Sequence, residues 1–423
     1  MALLCRRPRR LATLLPRQAR RWLSDSIRSE DGQVLKVPLD RLAHQSQLLF
    51  QVGDATPTHV EIVPTLAAAD FALHVTLPAG APSDSQATDF FAISKEIGAD
   101  GGVVQSVRIT KQGGSTVDAL HVQLMVPHLI DLSLSLVQGA VKIHDKVEGD
   151  VKVAVGTGDI TASKLRGTNI NLKTNKGAIA VTSLIEGESV ALVGDAISCK
   201  RAMAGSLTAK LGKASTMGDF GAIYSSAASI TSAGTGELKV GSIHGYLRVV
   251  GEGLECVQVD SANGALEVED SGDDCAVTAH FDSWSAGSTS SILVGGDVNV
   301  SVQPSVPIDV ELHGTKVDVS DACAFDDGET EQLDEDYVIF TGELKADEAS
   351  AARGAGSSGK INIEGAKSSA LTTSFFVADG EKDGEDEETP DRPPRLLVHA
   401  TRGHVTLDQL DWMANIKRKH LRK

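Results

Sequence analysis

Apolar and polar residues alternate in short runs along this chain, and a glycine precedes most of the runs. The run after Gly149 reads Asp-Val-Lys-Val, and the run after Gly177 reads Ala-Ile-Ala-Val. Alternation with a period of two is typical of β-strands that bury one face. Because helical periodicity is scarce elsewhere, the pattern predicts an all-β protein.

The glycines themselves are regularly spaced. Between residues 139 and 187 they recur every 9 or 10 residues, at Gly139, Gly149, Gly158, Gly167, Gly177 and Gly187. A longer unit contains two such intervals, which predicts coils of about 19 or 20 residues with two strands each. A coil exposes its strand edges and one apolar stripe unless the next coil stacks on it. The repeat therefore predicts a single-chain β-solenoid.

Polar residues beside these glycines have a structural interpretation. Glycine fits corners where the backbone needs a positive φ or approaches the neighbouring coil closely. An adjacent aspartate can accept hydrogen bonds from the turn. We therefore predict that Asp150, Asp159 and Asp195 are turn residues and not catalytic acids.

Composition shifts along the chain divide it into five predicted segments. Residues 346–359 are rich in Ala, Gly and Ser, and residues 379–394 are acidic with three prolines, which favours flexible insertions. The predicted segments are a presequence (1–23), N-terminal strands or first coils (34–118), a solenoid core (119–345), flexible insertions with one strand (346–394), and closing strands with a short C-terminal helix (395–423).

The first 23 residues differ in charge from the rest of the chain. They contain seven arginines and no acidic residue, together with leucines that supply an apolar side. This composition is typical of a mitochondrial presequence, and Arg21-Trp22-Leu23-Ser24 resembles a matrix-processing site. We therefore expect a mitochondrial protein, with the matrix as its compartment. The alternative is a basic arm for nucleic acid or membrane surfaces.

Charge and hydropathy limit the partners. Removing the seven arginines changes the formal net charge from -17 to -24, so nucleic acid is an unfavourable partner for the remaining chain. The sequence contains no run of 18 apolar residues, so it predicts no transmembrane segment. The basic stretch Lys417–Lys423 could contact anionic lipid, or its cations could complement a helix C-terminus. A second subunit could cover a free strand edge, which leaves a dimer open.

Enzyme motifs are missing from the sequence, so we predict no catalytic, cofactor-binding or metal-binding residues. Gly354 to Ile361 nearly fits a phosphate-binding loop, but Ile361 replaces the Ser or Thr that would hold Mg²⁺. Glu237 and Glu267 are the acids that could pair on adjacent coils. His244 lies beside a glycine at a predicted corner and is the residue of most interest. Its imidazole is either a functional group or simply a hydrogen-bond partner of the turn. The cysteines show no Cys-x-x-Cys pair and are expected to be buried thiols.

Several of these stretches are similar to a known family. Asp131-Leu132-Ser133-Leu134, Gly158-Asp159-Ile160 and Gly177-Ala178-Ile179 resemble the bacterial putative adhesin domain, also described as an auto-transporter adhesin head-like domain. The run 236–245 and the ending 403–407 with Trp412 are similar to eukaryotic members that carry mitochondrial presequences. The resemblance covers residues 34–416, most closely 119–270. It implies a β-solenoid and carries over no functional residues.

Two functions of different classes are compatible with the sequence. The first is a non-catalytic mitochondrial scaffold whose solenoid faces bind an unknown protein partner, because repeat stacks offer long rigid surfaces. The alternative is a solenoid hydrolase or lyase that acts on a carbohydrate or polyanion with clustered carboxylates. Three or more acids converging in a groove beside an aromatic residue would favour the alternative.

Overall fold

The structure is a computed structural model of the 423-residue chain. It describes residues 27–28, 34–39, 46–53, 56–67, 70–76, 91–97, 104–111, 119–212, 216–285, 287–303, 305–334, 337–346, 392–410, 414–415 and 417. The predicted presequence, the predicted strand at 360–364 and nearly all of the predicted insertions lie outside these residues. The described part is almost entirely β-structure, which confirms the all-β prediction. No helix in it is long and apolar enough to cross a membrane.

The chain divides into two compact units, Met1–Gly177 and Ala178–Lys423. The strands of the first unit are β1 (Ile27–Arg28), β2 (Val34–Pro38), β3 (Ser46–Val52), β4 (Thr58–Thr65), β5 (Ala72–Thr76), β6 (Phe91–Ile97), β7 (Val104–Lys111), β8 (Leu120–Pro127), β9 (Ile130–Glu148), β10 (Val151–Thr157), β11 (Ile160–Arg166) and β12 (Asn169–Lys176).

Parallel stacking at the predicted spacing organises the end of the first unit. Leu132 of β9 pairs with Val151 of β10, which in turn pairs with Ile170 of β12, so the two steps along the chain are equal in length. All three side chains are at most 2% exposed. The alternation therefore places every second residue of these strands in a shared aliphatic core. Earlier in this unit the pairing is mixed, since β5 runs antiparallel to both β2 and β8.

The second unit contains longer strands. They are β13 (Ala178–Gly194), β14 (Ala196–Cys199), β15 (Ala202–Leu211), β16 (Thr216–Ser232), β17 (Gly236–Gly251), β18 (Cys256–Asp270), β19 (Ala276–Ser283), β20 (Thr289–Val294), β21 (Val298–Val302), β22 (Ile308–Gly314), β23 (Lys316–Val319), β24 (Phe325–Asp334), β25 (Tyr337–Leu344), β26 (Arg395–Ala400) and β27 (His404–Gln409).

Parallel pairing also joins the successive strands of the second unit up to β21. Leu207 of β15 pairs with Ala228 of β16, and Ile243 of β17 pairs with Ala262 of β18. Phe220 and Phe281, both at most 1% exposed, are among the few aromatic residues of an otherwise aliphatic core. This scarcity of aromatic core residues follows from a composition with only 4% Phe, Trp and Tyr.

The end of the chain returns to the middle of a sheet. Strand β26 pairs with β20 on one side and with β22 on the other, and β27 lies between β21 and β23. Strands β22, β25 and β24 then follow in antiparallel order. The acidic residues 326–334 therefore form part of an antiparallel hairpin.

The described residues do not show the predicted C-terminal helix at its expected start. Asp408 and Gln409, which would begin it, instead extend β27 and pair with Ser301 and Val302. The alternation that starts at His404 continues through these residues, and the parallel ladder satisfies their backbone groups. Among the described residues that follow, helical backbone is confined to 414–415 and 417. The basic stretch Lys417–Lys423 lies outside the described residues except for Lys417.

Candidate functional site

Asp150 accepts hydrogen bonds from a turn, as the sequence predicts. Asp150 accepts hydrogen bonds at Oδ1 from the backbone N–H groups of Thr168 and Asn169, at 3.1 and 2.8 Å. Its own N–H donates to Asp131 Oδ1 at 2.8 Å, so these carboxylates link segments about one repeat apart along the chain. Hydrogen bonds from Asn169 lower the pKa of Asp150 against the opposing effect of burial. The carboxylates of Asp159 and Asp195 lie against the corner glycines Gly177 and Gly212, respectively.

His244 lies in a ladder of side chains that crosses neighbouring strands of the second unit. Met203 on β15 pairs with Tyr224 on β16, and Tyr224 pairs with His244 on β17. Asn263 on β18 and Ser283 on β19 continue the row. We call these five residues the Met203–Ser283 ladder.

Ring stacking is the interaction that defines His244. Its ring lies 4.3 Å from the Tyr224 ring, with only 2° between the planes. Burial lowers the pKa of His244, and the charge of Asp282 opposes this shift. Met203 is 37% exposed and Tyr224 is 38% exposed. The ladder thus offers a thioether and an aromatic edge to solvent on a rigid sheet.

A hydrogen-bonded network continues the ladder toward the protein interior. Ser283 donates to Asn263 Oδ1 at 3.0 Å, and Asn263 Nδ2 donates to Ser261 Oγ at 3.2 Å. Ser261 donates in turn to Asp282 Oδ2. Asp282 Oδ1 lies 3.0 Å from His280 Nε2. These hydrogen bonds hold Asn263 and Ser283, at one end of the ladder.

The same network contains a Ser, His and Asp arrangement. His280 Nδ1 lies 2.8 Å from Ser301 Oγ, while its Nε2 faces Asp282. Nucleophilic catalysis needs a serine that a substrate can reach. Ser301 is 1% exposed and His280 is 0% exposed. Asn415, 2% exposed, donates to the backbone carbonyl of Asp260 nearby. This arrangement is therefore suited to holding strands together and not to hydrolysis.

Glu237 and Glu267 do not come together as a catalytic pair. Glu237 faces Cys256 at the start of β18 and forms an ion pair with Lys239 at 2.6 Å. Glu267 lies in the second half of β18, opposite Arg248, at 3.7 Å from its guanidinium. Burial, with a hydrogen bond to Glu267, raises the pKa of Tyr246 to about 12. Each carboxylate is thus matched with a cation.

A second polar cluster joins strands β22, β25 and β26, and the sequence analysis missed it. Glu311 accepts from His313 Nε2 at 2.8 Å and from Arg395. The Tyr337 hydroxyl lies 3.1 Å from His313 Nδ1 and 3.0 Å from His399 Nε2. In the tautomer of His313 that carries its proton on Nε2, this nitrogen donates to Glu311 and Nδ1 accepts from the Tyr337 hydroxyl. We call these five residues the Arg395–His399 cluster.

The electrostatics of this cluster follow from its contacts. The hydrogen bond from His313 lowers the pKa of Glu311, and Arg395 adds to the effect. Burial lowers the pKa of His399, and the neighbouring His313 lowers it further. Burial raises the pKa of Tyr337. The outward residues Glu311 and His313 alternate with buried Val310 and Leu312, a signal in the sequence, but their partners on β26 lie far away along the chain.

An open pocket of about 240 Å³ adjoins the Arg395–His399 cluster. It is lined by Asp309, Val310, Glu311, Thr341, Gly342 and Arg395. Two carboxylates therefore reach the pocket, and one of them is already bonded to His313 and Arg395. Across the described ranges, no group of three His, Cys, Asp or Glu side chains is placed to hold a metal ion.

The cysteines of the described residues are thiols without a disulfide bond. Cys199 and Cys275 are buried, and burial raises the pKa of each to about 12. Cys323 is half-buried and has its pKa raised to about 11 for the same reason. Since the thiolate is the reactive form, these three groups are poor nucleophiles.

Comparison with known proteins identifies no family. No protein-family model matches this chain, and no curated protein matches it. Among solved structures, the crystal structure of a "putative cell adhesion protein" from Clostridium sporogenes is similar over 89% of this chain and 98% of that chain, with 7% sequence identity and a TM-score of 0.16. A likeness at this level carries no argument about function.

Proposed function

We propose that this chain is a non-catalytic mitochondrial β-solenoid that binds a protein partner. The observation that carries the proposal is the Met203–Ser283 ladder. Met203 and Tyr224 stand half-exposed side by side on paired strands, Tyr224 stacks on His244, and hydrogen bonds hold Asn263 and Ser283 further along the row. Tyrosine and methionine are enriched at protein interfaces, where they bury large areas at low entropic cost.

The solenoid architecture is proposed for each unit separately. Parallel pairing at a constant spacing through Leu132, Val151 and Ile170 supports it in the first unit. A similar spacing between the paired positions of β15, β16, β17 and β18 supports it in the second. Rigid stacks of this kind provide flat, extended surfaces that suit binding better than chemistry. The resemblance of the glycine corners to the adhesin-like family agrees with this architecture.

The mitochondrial address rests on the sequence of residues 1–23. This segment has seven arginines and no acid, so the potential across the inner mitochondrial membrane draws it inward. The remainder of the chain is acidic and is not drawn inward by that potential. We propose the matrix as the compartment. The partner is then a matrix protein with an apolar patch that fits Met203 and the edge of Tyr224.

Proximity labelling tests the binding role. The full-length chain carries a labelling enzyme at its C-terminus, and its neighbours are compared with those of a Met203→Ser/Tyr224→Ser variant. Met217→Ser serves as the matched control, because Met217 is 60% exposed but pairs with Ala196 and Glu237, outside the ladder. All three proteins are first shown to unfold at similar denaturant concentrations.

The proposal predicts a small set of neighbours that the double variant loses and the Met217 control keeps. Purified candidates from that set should bind the wild-type chain and bind the double variant at least about tenfold more weakly. An identical set of neighbours for all three proteins would contradict a partner at the ladder.

The alternative hydrolase or lyase would operate at the open pocket, because Asp309 and Glu311 both reach it. Two carboxylates are fewer than the three or more converging acids that would favour this function, and the His313 and Arg395 contacts occupy Glu311. Incubation with neutral and acidic polysaccharides, followed by an assay for new reducing ends, tests this function. Cleavage that Asp309→Asn abolishes would favour the enzyme over the binding module.

A further inference from the structure

Strand β24 is exposed along almost its whole length. Nine of its ten residues are exposed, and only Phe325 at its start is half-buried. Strand β25 runs antiparallel to β24 along one of its edges, and no other described strand lies along the second edge. Within the part of the chain that the structure describes, the backbone groups on that edge have no strand partner.

Few contacts hold this strand in place. The Phe325 and Phe340 rings meet edge to face at 4.9 Å at the base of the hairpin, and Lys345 forms an ion pair with Asp326 at 2.5 Å. Beyond a bulge at Asp327, which has φ of +51°, the strand keeps an unbroken register from Glu329 to Gln332. Asp, Gly and Glu are poor strand formers, so β24 would gain stability from a further neighbour.

The charge on β24 limits what that neighbour can be. Five of its ten residues are acidic, Asp326, Asp327, Glu329, Glu331 and Asp334. A second copy of β24 would place like charges opposite each other, which destabilises cross-strand pairs. An apolar strand would cover these carboxylates without a partner charge. The chain's own residues 379–391 contain eight acids and one lysine, so pairing with β24 would also place like charges opposite each other.

We propose that the free edge of β24 binds an extended segment of a partner protein rich in lysine and arginine, by adding it as a further antiparallel or parallel strand. Main-chain hydrogen bonds supply the pairing, and the carboxylates of Glu329 and Glu331 select the basic side chains. The acidic residues of β24 thus disfavour pairing between two copies of the strand and also select a basic partner. The site is independent of the Met203–Ser283 ladder, so either one can fail without the other.

Fluorescence anisotropy of a labelled peptide tests the proposal on the full-length chain. The probe is a nine-residue peptide of alternating lysine and valine, and binding is measured at about 50 mM and about 300 mM salt. We expect saturable binding at the lower salt that weakens at the higher salt. Glu329→Lys/Glu331→Lys should weaken it at least about tenfold. The control Glu252→Lys/Glu255→Lys makes the same charge change at two exposed residues outside β24 and should bind as the wild type does.

A second probe separates strand addition from simple charge attraction. The same peptide methylated at alternate backbone nitrogens keeps its charge but loses the main-chain donors that pair with a strand. It should bind at least about tenfold more weakly than the unmodified peptide. Equal binding of the two peptides, equal weakening by the two double variants, or no binding at low salt would each overturn the proposal.

Discussion

Gly264 on β18 lies directly against Gly245 on β17, because the two residues pair in the parallel ladder. The φ angle of Gly264 is +129°, a region that residues with a side chain rarely adopt. A Cβ at this position would also overlap the carbonyl oxygen of Gly245. Glycine is therefore required here both by the backbone conformation and by the spacing between strands.

Gly253 allows these two requirements to be separated. It has a φ of +128°, but a Cβ there would meet no atom within 4 Å. Gly253→Ala should cost about 1 to 2 kcal/mol from the backbone conformation alone. Gly264→Ala should cost at least about 2 kcal/mol more, because the strands must move apart. Urea unfolding measures both, and equal losses would contradict the close stacking of β17 and β18.

Asp270 provides a second test of the corners. It is 6% exposed, and its carboxylate accepts from the N–H groups of Leu254 and Gly272 at 3.0 and 2.7 Å. Asp270→Ala should destabilise the protein by about 2 to 3 kcal/mol, because buried donors lose their partner. Asp273→Ala is the control, since Asp273 is 63% exposed and should cost less than about 0.5 kcal/mol. Similar losses for the two variants would refute the capping role.

The sequence was sufficient to predict the all-β class and the alternating strands that follow Gly149 and Gly177. This signal is strong because Gly158 and Asp150 meet local requirements, a positive φ at the glycine and hydrogen bonds from a turn to the carboxylate. It fails where the pairing is not local. Strand β26 inserts between β20 and β22, although it is far from both of them along the chain. No periodicity in the sequence encodes such a return.

The candidate sites also differ in how much of each can be predicted from the sequence. His244 could be singled out from its place among glycines, but its stacking on Tyr224 depends on a register across two strands. The Arg395–His399 cluster could not be foreseen, because His313 and His399 become neighbours only through the insertion of β26. The pairing of Glu237 with Glu267 failed because Glu237 faces the start of β18, whereas Glu267 lies near the end of that strand.

Acid should weaken the second unit through His399. Burial and His313 hold the pKa of His399 below its ordinary value of 6.5, so below that pH the unfolded chain binds more protons than the folded one. Its contribution to stability is therefore present above about pH 6.5 and falls as the pH decreases. The pKa of Glu311 is also lowered, but that carboxyl titrates in a more acidic range.

The free energy of unfolding at about pH 7.5 and about pH 5.5 checks this prediction. His399→Gln should lose less stability between the two pH values than the wild type does, whatever its absolute stability. His404→Gln is the control, because His404 is exposed on β27. A wild-type loss that His399→Gln leaves unchanged would show that other groups control the acid sensitivity.

Submitochondrial location tests the central claim most directly. Cells express the full-length chain and a version without residues 1–23, each with a C-terminal tag, and fractions are treated with protease before and after the inner membrane is opened. The proposed matrix address predicts that the full-length protein is protected until the inner membrane opens, and that the shortened protein stays in the cytosol. Full-length protein outside mitochondria, or a shortened protein that still enters them, would contradict the presequence and with it a matrix partner for the Met203–Ser283 ladder.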